Sequence, residues 1–354
     1  MITIDGSYGE GGGQILRSAI SLSAITRKPV EIINIRKGRN NNGLRPQHFS
    51  SIKAASSICN AEVSNFEIGS TKIIFSPNQI TTNQIEIDIG TAGSITLLLQ
   101  TIIPIVAFNN NSFKIKIIGG TDVKWSPTID YFRYIIVKAF NVIGINVEIE
   151  VIKRGYYPKG GGIIEAIVKA SKLKPFVINK NINDKSVEIK SVVSNLPKSI
   201  ANKQANSASQ ILKSKGYKIN SIINEESESN SPGSSIIIYS SNNKNNQFVG
   251  YDKIGERGKS SEIIGKEAAI GFINENISQT PVDSHLGDML IPILSLIPYQ
   301  SSYMISKITS HIETNLFISK LITGCNFSVK KHDNGSALIN IKGETSYSDN
   351  LSIV

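Results

Sequence analysis

The sequence predicts an α+β protein made of three βαβαββ repeats, with a small α/β domain inserted before the helices of the third. Three observations carry that expectation. Short runs of Ile and Val bounded by Gly, Asn and Pro alternate with longer segments whose apolar residues recur at spacings of three and four, the signatures of strand and helix. The same order of elements returns along the chain, which an internal repeat explains most simply. A stretch rich in Ser and Asn, 224–247, separates the third copy from the first two and has the composition of a loop.

The first copy reads as strand 2–5, helix 13–27, strand 30–36, helix 47–59 and strands 62–68 and 72–76. The second reads as strand 85–89, helix 92–108, strand 113–118, helix 127–142 and strands 146–152 and 163–168. The third shows helix 286–296, strand 302–308, helix 312–321 and strands 326–331 and 336–341. The first helices align as GQILRSAI, GSITLLLQ and GDMLIPIL, from Gly13, Gly93 and Gly287. A strand at 187–193, a helix at 201–213, a strand at 235–239 and a helix at 260–274 form the insert. The expected division is a large domain of 1–180 and 276–354, with repeats of about 1–80, 81–180 and 276–354, and an inserted domain of 181–275.

At 354 residues, 40% hydrophobic and 19% charged, the composition is that of an ordinary soluble protein with sizeable cores. No apolar run approaches the roughly 20 residues of a membrane span, and the N-terminus does not read as a secretion signal. Two cysteines, Cys59 and Cys325, leave no disulfide framework or cysteine metal cluster, so a cytoplasmic protein is expected. The net charge of +10 favours polyanions such as nucleic acid, although a solvated lysine surface has the same composition.

Several segments are suited to phosphate chemistry. In GEGGGQILR, from Gly9 to Arg17, glycines turn the chain into a helix whose first N–H groups can face an anion. Glu10 lies in that turn, where a lone carboxylate suits a divalent metal; a purely structural turn reads the same way. Neither GxxxxGK[ST] nor GxGxxG is present there. Arg36, Arg39 and Arg45 cluster between a strand and a helix opened by Gln47 and His48, where they can grip phosphate or simply be solvated. Gln100 interrupts an apolar helix. Trp125 can stack on a base or pack, and RGYYPKGGG, from Arg154 to Gly162, joins a cation, aromatics and glycines. GERGK, around Arg257, reads as a solvated face. His285 and Asp288 share one helix face, and His311 in SHIETN opens a helix; neutral imidazole there can attack phosphorus or serve structure alone.

Together these segments resemble the RNA 3′-terminal phosphate cyclase family. The likeness is collinear from Asp5 to about Phe327 through DGSYGEGGGQILRSA, Gln47-His48, GTAGSITLLLQ, GGTD, RGYYPKGGG, GERGK, HLGDM and SHIETN. It implies repeats of the kind found in enolpyruvyl transferases and initiation-factor C-terminal domains. It also implies ATP-dependent conversion of an RNA 3′-phosphate to a 2′,3′-cyclic phosphodiester, through covalent histidine–AMP and RNA-(3′)pp(5′)A, with Mg²⁺ or Mn²⁺. The partners implied are RNA ending in a 3′-phosphate and ATP; no membrane is involved, and a homodimer is compatible.

By position, His311 is similar to the family's AMP-accepting histidine. Gln100 and the segment His285, Leu286, Gly287, Asp288 and Met289 are similar to its nucleotide-binding residues. Arg17, Arg36, Arg39 and Gln47 match the phosphate and RNA-end pocket, and Glu10 matches a carboxylate near the metal. Met289 stands where many members have glutamine, and His285 where some have tyrosine. The alternatives are a cyclase-like protein that binds RNA in ribosome assembly without adenylation, and enolpyruvyl-transferase chemistry on related repeats. The retained His311, Glu10, Arg17 and Gln100 disfavour the first; SHIETN and RGYYPKGGG disfavour the second.

Overall fold

The computed structural model describes residues 1–108, 111–169, 172–240 and 246–344. The chain opens with β1 (Ile2–Asp5), α1 (Gly13–Thr26), β2 (Val30–Ile33), α2 (Pro46–Cys59), β3 (Glu62–Ser64) and β4 (Ile73–Ser76). Next come β5 (Gln84–Asp88), α3 (Ile95–Ala107), β6 (Phe113–Gly119), α4 (Ile129–Tyr131), a π turn (Phe132–Ile136), α5 (Val137–Ile143), β7 (Asn146–Lys153) and β8 (Gly162–Lys169). A two-residue strand, β9 (Val177–Ile178), is followed by β10 (Ser186–Ser194), α6 (Ser199–Ser214), β11 (Lys218–Glu226), β12 (Gly233–Ser240), β13 (Gly250–Ile254) and α7 (Ser261–Asn276). The described chain ends with α8 (Ser284–Leu294), β14 (Ser301–Ile305), α9 (Ser310–Thr323), β15 (Asn326–Lys331) and β16 (Ala337–Lys342).

Three sheets share one topology. Their orders are β1-β2-β4-β3, β5-β6-β8-β7 and β9-β14-β16-β15. In each, the first two strands are parallel and the remaining pairings antiparallel. The third sheet supplies a strand absent from the sequence expectation. β9 pairs with β14 through Ser302↔Val177 and Tyr303↔Ile178, so the chain departs after the third repeat's first strand and returns at its first helix. Two residues carry too short a pattern for periodicity to register.

The fourth sheet, β11-β10-β12-β13, belongs to the departing segment. Its strand β12 alternates sides residue by residue, as a pleated strand must. Ile236 and Ile238 enter a small core with Ala205, Ala208 and Leu212 of α6 and Ala268 and Phe272 of α7. Ile237 and Tyr239 point the other way into the large core shared by the three repeats, where Tyr239 stacks on Tyr134 at 4.7 Å. Burial on both faces explains the uninterrupted Ile-Ile-Ile-Tyr run.

Three expectations need correction. Outside the strand expected at 235–239, part of the Ser- and Asn-rich stretch is also strand rather than loop: 224–226 end β11, and Gly233, Ser234 and Ser240 extend β12 on either side; residues 241–245 of that stretch lie outside the described residues. Strand pairing, not composition, decides those positions. The aligned glycines are not equivalent. Gly13 is the first residue of α1, Gly93 precedes the cap Ser94 of α3, and Gly287 lies inside α8. A Cβ on Gly287 would stand 2.8 Å from Ile305 Cγ2, so that glycine serves close packing of α8 on β14. The helix expected over 127–142 starts only at Ile129, because Thr128 caps it by accepting from Tyr131 N–H. Residues 345–354 of the expected large domain also lie outside the described residues.

Cys59 and Cys325 are both buried and unpaired. Among the described residues no helix is long and apolar enough to cross a membrane.

Candidate active site

The glycine turn after β1 is shaped by close approach to two other helices. Gly9 has φ +62, and a Cβ there would stand 2.3 Å from Thr314 Oγ1 of α9. On Gly13 a Cβ would stand 2.2 Å from His48 Nε2 of α2. Gly12 caps α1 with no side chain of its own, which leaves the first N–H groups of α1 as orphan donors. Glu10 rises from this turn with its carboxylate between Arg39 and His311. Its Oε1 pairs with the Arg39 guanidinium, which also donates to the Glu10 carbonyl at 3.0 Å, and its Oε2 lies 2.6 Å from His311 Nε2.

His311 is placed by α9. Thr309 caps that helix by accepting from Ile312 N–H, so His311 sits in the first turn, where the helix dipole favours negative charge nearby. Burial holds its imidazole below the ordinary histidine value; Arg17, His285 and Arg39 push the same way, and Glu10 alone among the named groups opposes them. The ring is therefore neutral at neutral pH.

Three helices converge behind His311 through buried amides. Gln14 of α1 donates from Nε2 toward Asp288 Oδ1 and toward the His311 carbonyl, both at 3.4 Å. Asn315 of α9 donates to the Asp288 carbonyl at 2.7 Å and accepts from Ser18 of α1 at 2.6 Å. Asp288 and Arg17 are each the fifth residue of their helices, α8 and α1. Burial pushes the Asp288 carboxyl up to about 7 against the pull of His285 and Arg17. Burial likewise lowers Arg17 to about 10, so it remains a cation. Asp283 caps α8, accepting from His285 and Leu286 N–H at 3.0 and 2.8 Å and from Tyr131 OH at 2.7 Å.

The family model described as RNA 3′-terminal phosphate cyclase matches residues 8–329. The chain belongs to the RNA 3′-terminal phosphate cyclase family. The cyclase of Pyrococcus abyssi is 43% identical over 325 residues, covering 92% of this chain and 94% of that protein. The cyclase of Methanococcoides burtonii is 42% identical over 335 residues, covering 94% and 98%. A solved enolpyruvyl transferase, NikO from Streptomyces tendae, is 6% identical and covers 96% of this chain and 48% of that one; its TM-score of 0.39 carries no argument.

Within this cyclase fold, Glu10, Arg17, Arg39, Asp288 and His311 come together at one site. Gln100 meets Met289, Nε2 to Sδ at 3.6 Å, linking α3 to α8. His285 is exposed and edge-on to Tyr131 at 6.5 Å between ring centroids. Leu286 and Gly287 face the core instead; the Gly287 carbonyl accepts from Tyr303 OH at 2.9 Å. The Gln47 amide clasps the Ser94 backbone, donating to its carbonyl at 3.0 Å and accepting from its N–H at 2.5 Å. Arg36 donates from Nε to the Asn41 carbonyl at 3.2 Å. His48 closes the α2 cap by accepting the Arg45 N–H on Nδ1 at 3.2 Å.

Gln14, Ser18 and Asn315 were not singled out in the sequence. Asn315 follows His311 by four residues and so shares its helix face, which was the available signal. Gln14 had no comparable one. In RGYYPKGGG, Arg154 is fully buried, pairing with Asp122 at 3.3 Å and Asp130 at 2.7 Å.

Proposed function

We propose that this cyclase transfers AMP through His311 to an RNA 3′-phosphate and then closes a 2′,3′-cyclic phosphodiester. The observation that carries the reading is the neutral imidazole of His311 beside Glu10 and the Arg17 and Arg39 cations. In the first step an imidazole nitrogen attacks the α-phosphorus of ATP; the N–P bond forms as the bond to the bridging oxygen breaks and pyrophosphate leaves. Next an oxygen of the RNA 3′-phosphate attacks that phosphorus, the N–P bond breaks and His311 is restored. Finally the neighbouring 2′-hydroxyl attacks the activated 3′-phosphorus, loses its proton and expels AMP. Arg17 and Arg39 and the free N–H groups of α1 stabilise charge gathering on the non-bridging oxygens.

In this reading Gln100, His285, Asp288 and Met289 border the nucleotide, and Arg36 and Arg39 the RNA end. The residues also fit a divalent cation. Oε2 of Glu10, within 2.6 Å of His311 Nε2, is a hard carboxylate oxygen that could serve as a ligand beside the nucleotide. No group of three His, Cys, Asp or Glu side chains suited to a metal occurs among the described residues, so most ligands would be phosphate and water, as Mg²⁺ prefers. The cation would neutralise triphosphate charge. The separate small core on α6 and α7 supports an inserted domain over 181–275.

The test is incubation with α-labelled ATP and Mg²⁺ or Mn²⁺, followed by a denaturing gel. Wild type should take acid-labile, alkali-stable label and release it to RNA ending in 3′-phosphate; His311→Ala should take none while melting normally. A folded wild type that never takes label would shift the reading to the RNA-binding assembly protein.

A further inference from the structure

Trp125 and Tyr157 are the two most exposed aromatic residues among the described residues, at 96% and 79%. Both are displayed by fixed backbone. Trp125 has φ +63 in a loop closed by Ser126 Oγ donating to Val123 O at 2.9 Å and by Thr128 N–H donating to Asp252 Oδ2 at 2.5 Å. The loop of Tyr157 lies against it, with Thr121 and Asp122 N–H both donating to the Gly155 carbonyl at 2.8 and 3.2 Å. Gly155 permits that approach, since a Cβ there would stand 2.2 Å from Gly119 O.

Cations stand on the same loops as the two rings. Lys124 pairs with Glu256 at 3.1 Å, which ties the Trp125 loop to the 255–259 turn of the inserted segment. Arg257 in that turn and Lys159 beside Tyr157 are exposed, and neither side chain forms an ion pair among the described residues. The same loops pack on α3, whose Gln100 meets Met289 of α8. Thr96 of α3 donates to the Pro127 carbonyl at 2.7 Å, and Gly160 is so close to Ala92 that a Cβ added there would stand 2.7 Å from Ala92 Cα. Ala92 lies just before Ser94, whose backbone Gln47 clasps.

From this juxtaposition we propose that Trp125 and Tyr157, with Lys159 and Arg257, form a stacking platform for the bases of single-stranded RNA upstream of its 3′ end. The proposal rests on the cyclase reading for the position of that end. Isolated π faces beside unpaired cations suit bases and phosphates, because every base offers a stacking face and the cations follow the backbone. A protein partner would require a broader apolar core around the rings. The platform also gives the inserted segment a role, since its turn supplies Arg257.

The chain holds a single tryptophan, so its emission reports on Trp125 directly. A single-stranded oligoribonucleotide of about ten residues ending in 3′-phosphate should quench that emission, and ATP should not. Trp125→Ala and Tyr157→Ala should each raise the RNA concentration for half-maximal discharge of the AMP label roughly tenfold, given typical stacking strength. The penalty should vanish with a dinucleotide bearing the same terminus. RNA binding with no change in emission would overturn the platform. So would quenching by ATP together with slowed labelling of Trp125→Ala, which would assign the ring to the nucleotide. If wild type takes no label, the cyclase reading fails, and the emission titration still decides for or against RNA stacking.

Discussion

Glu10 Oε2 stands 2.6 Å from His311 Nε2, although one residue belongs to the turn after β1 and the other opens α9. The pair joins the first and third repeats, and around it burial and charge oppose one another. Desolvation and the neighbouring cations keep His311 neutral, while Glu10 favours the imidazolium. Arg39 shares the same carboxylate, so Glu10 is held between a permanent cation and the His311 imidazole.

This arrangement sets the pH dependence of labelling. The folded-state value of His311 lies below the ordinary 6.5, so the imidazole should stay unprotonated through neutral pH and into mild acid. The midpoint of the acid limb in single-turnover formation of the AMP adduct should lie below pH 6.5. Glu10→Gln removes the group that raises the histidine value, so the acid limb should move lower still. Its maximal rate should fall about a hundredfold, as when one charge-stabilising group is lost. An acid limb centred above pH 6.5 in wild type would contradict this account.

Asp288→Asn should separate stability from function. The carboxyl is pushed up to about 7 in the fold, mainly by burial, from an ordinary value near 3.8. Between these values the folded state binds more protons than the unfolded one, so stability falls as pH rises through that window, and the full cost applies above pH 7. Asparagine retains an oxygen to accept from Gln14 and carries no charge. Denaturation midpoints should therefore favour the variant at pH 8, by on the order of a few kcal/mol, and little at pH 4. Labelling with ATP should weaken at both.

The long, strongly patterned elements of the fold were legible because helix and strand periods differ. The elements missed are short or polar edges: β9 has two residues, and β11 and β13 flank the inserted sheet with Asn, Ser, Glu, Asp and Lys among their apolar residues. An edge strand needs only one bonded neighbour and one covered face, so its sequence alternates weakly. Resemblance named His311, Glu10 and Asp288 as candidates, and the structure brings them together, whereas Gln14 and Asn315 escaped notice because a buried amide is recognised by its distant partners. Arg154 carried no such signal either: the segment around it could be read as a glycine-rich loop, and its two aspartates lie elsewhere in the second repeat.

Arg154→Met tests that structural role. Burial raises the Asp122 carboxyl despite Arg154, and Asp130 is held low against its own burial by Arg154 and Lys190. Removing the guanidinium leaves two buried carboxylates short of a counter-charge. Breaking one side of such a buried network costs about 3–5 kcal/mol, and chemical denaturation should register that loss. Arg154→Lys should recover only part of it, since an ammonium cannot present the fork that spans Asp122 and Asp130.

Gly13→Ala sets two effects against each other. Alanine inside a helix ordinarily gains up to about 1 kcal/mol over glycine. Here the added Cβ would stand 2.2 Å from His48 Nε2 and 2.8 Å from His48 Cδ2. His48 has little freedom to retreat, because it is buried and its Nδ1 accepts the Arg45 N–H. Burial, then Arg17, Arg36 and Arg45, hold it down to about 3, so it stays neutral and capped throughout the working range. The start of α1 must shift instead, at a cost of about 1–3 kcal/mol for overpacking. That shift moves the free N–H groups and Arg17 relative to His311, so labelling should slow beyond what the lost stability explains. A double-mutant cycle with His48→Ala checks the cause: the two changes should be strongly non-additive if the contact is responsible, and additive if glycine is needed there only for backbone freedom.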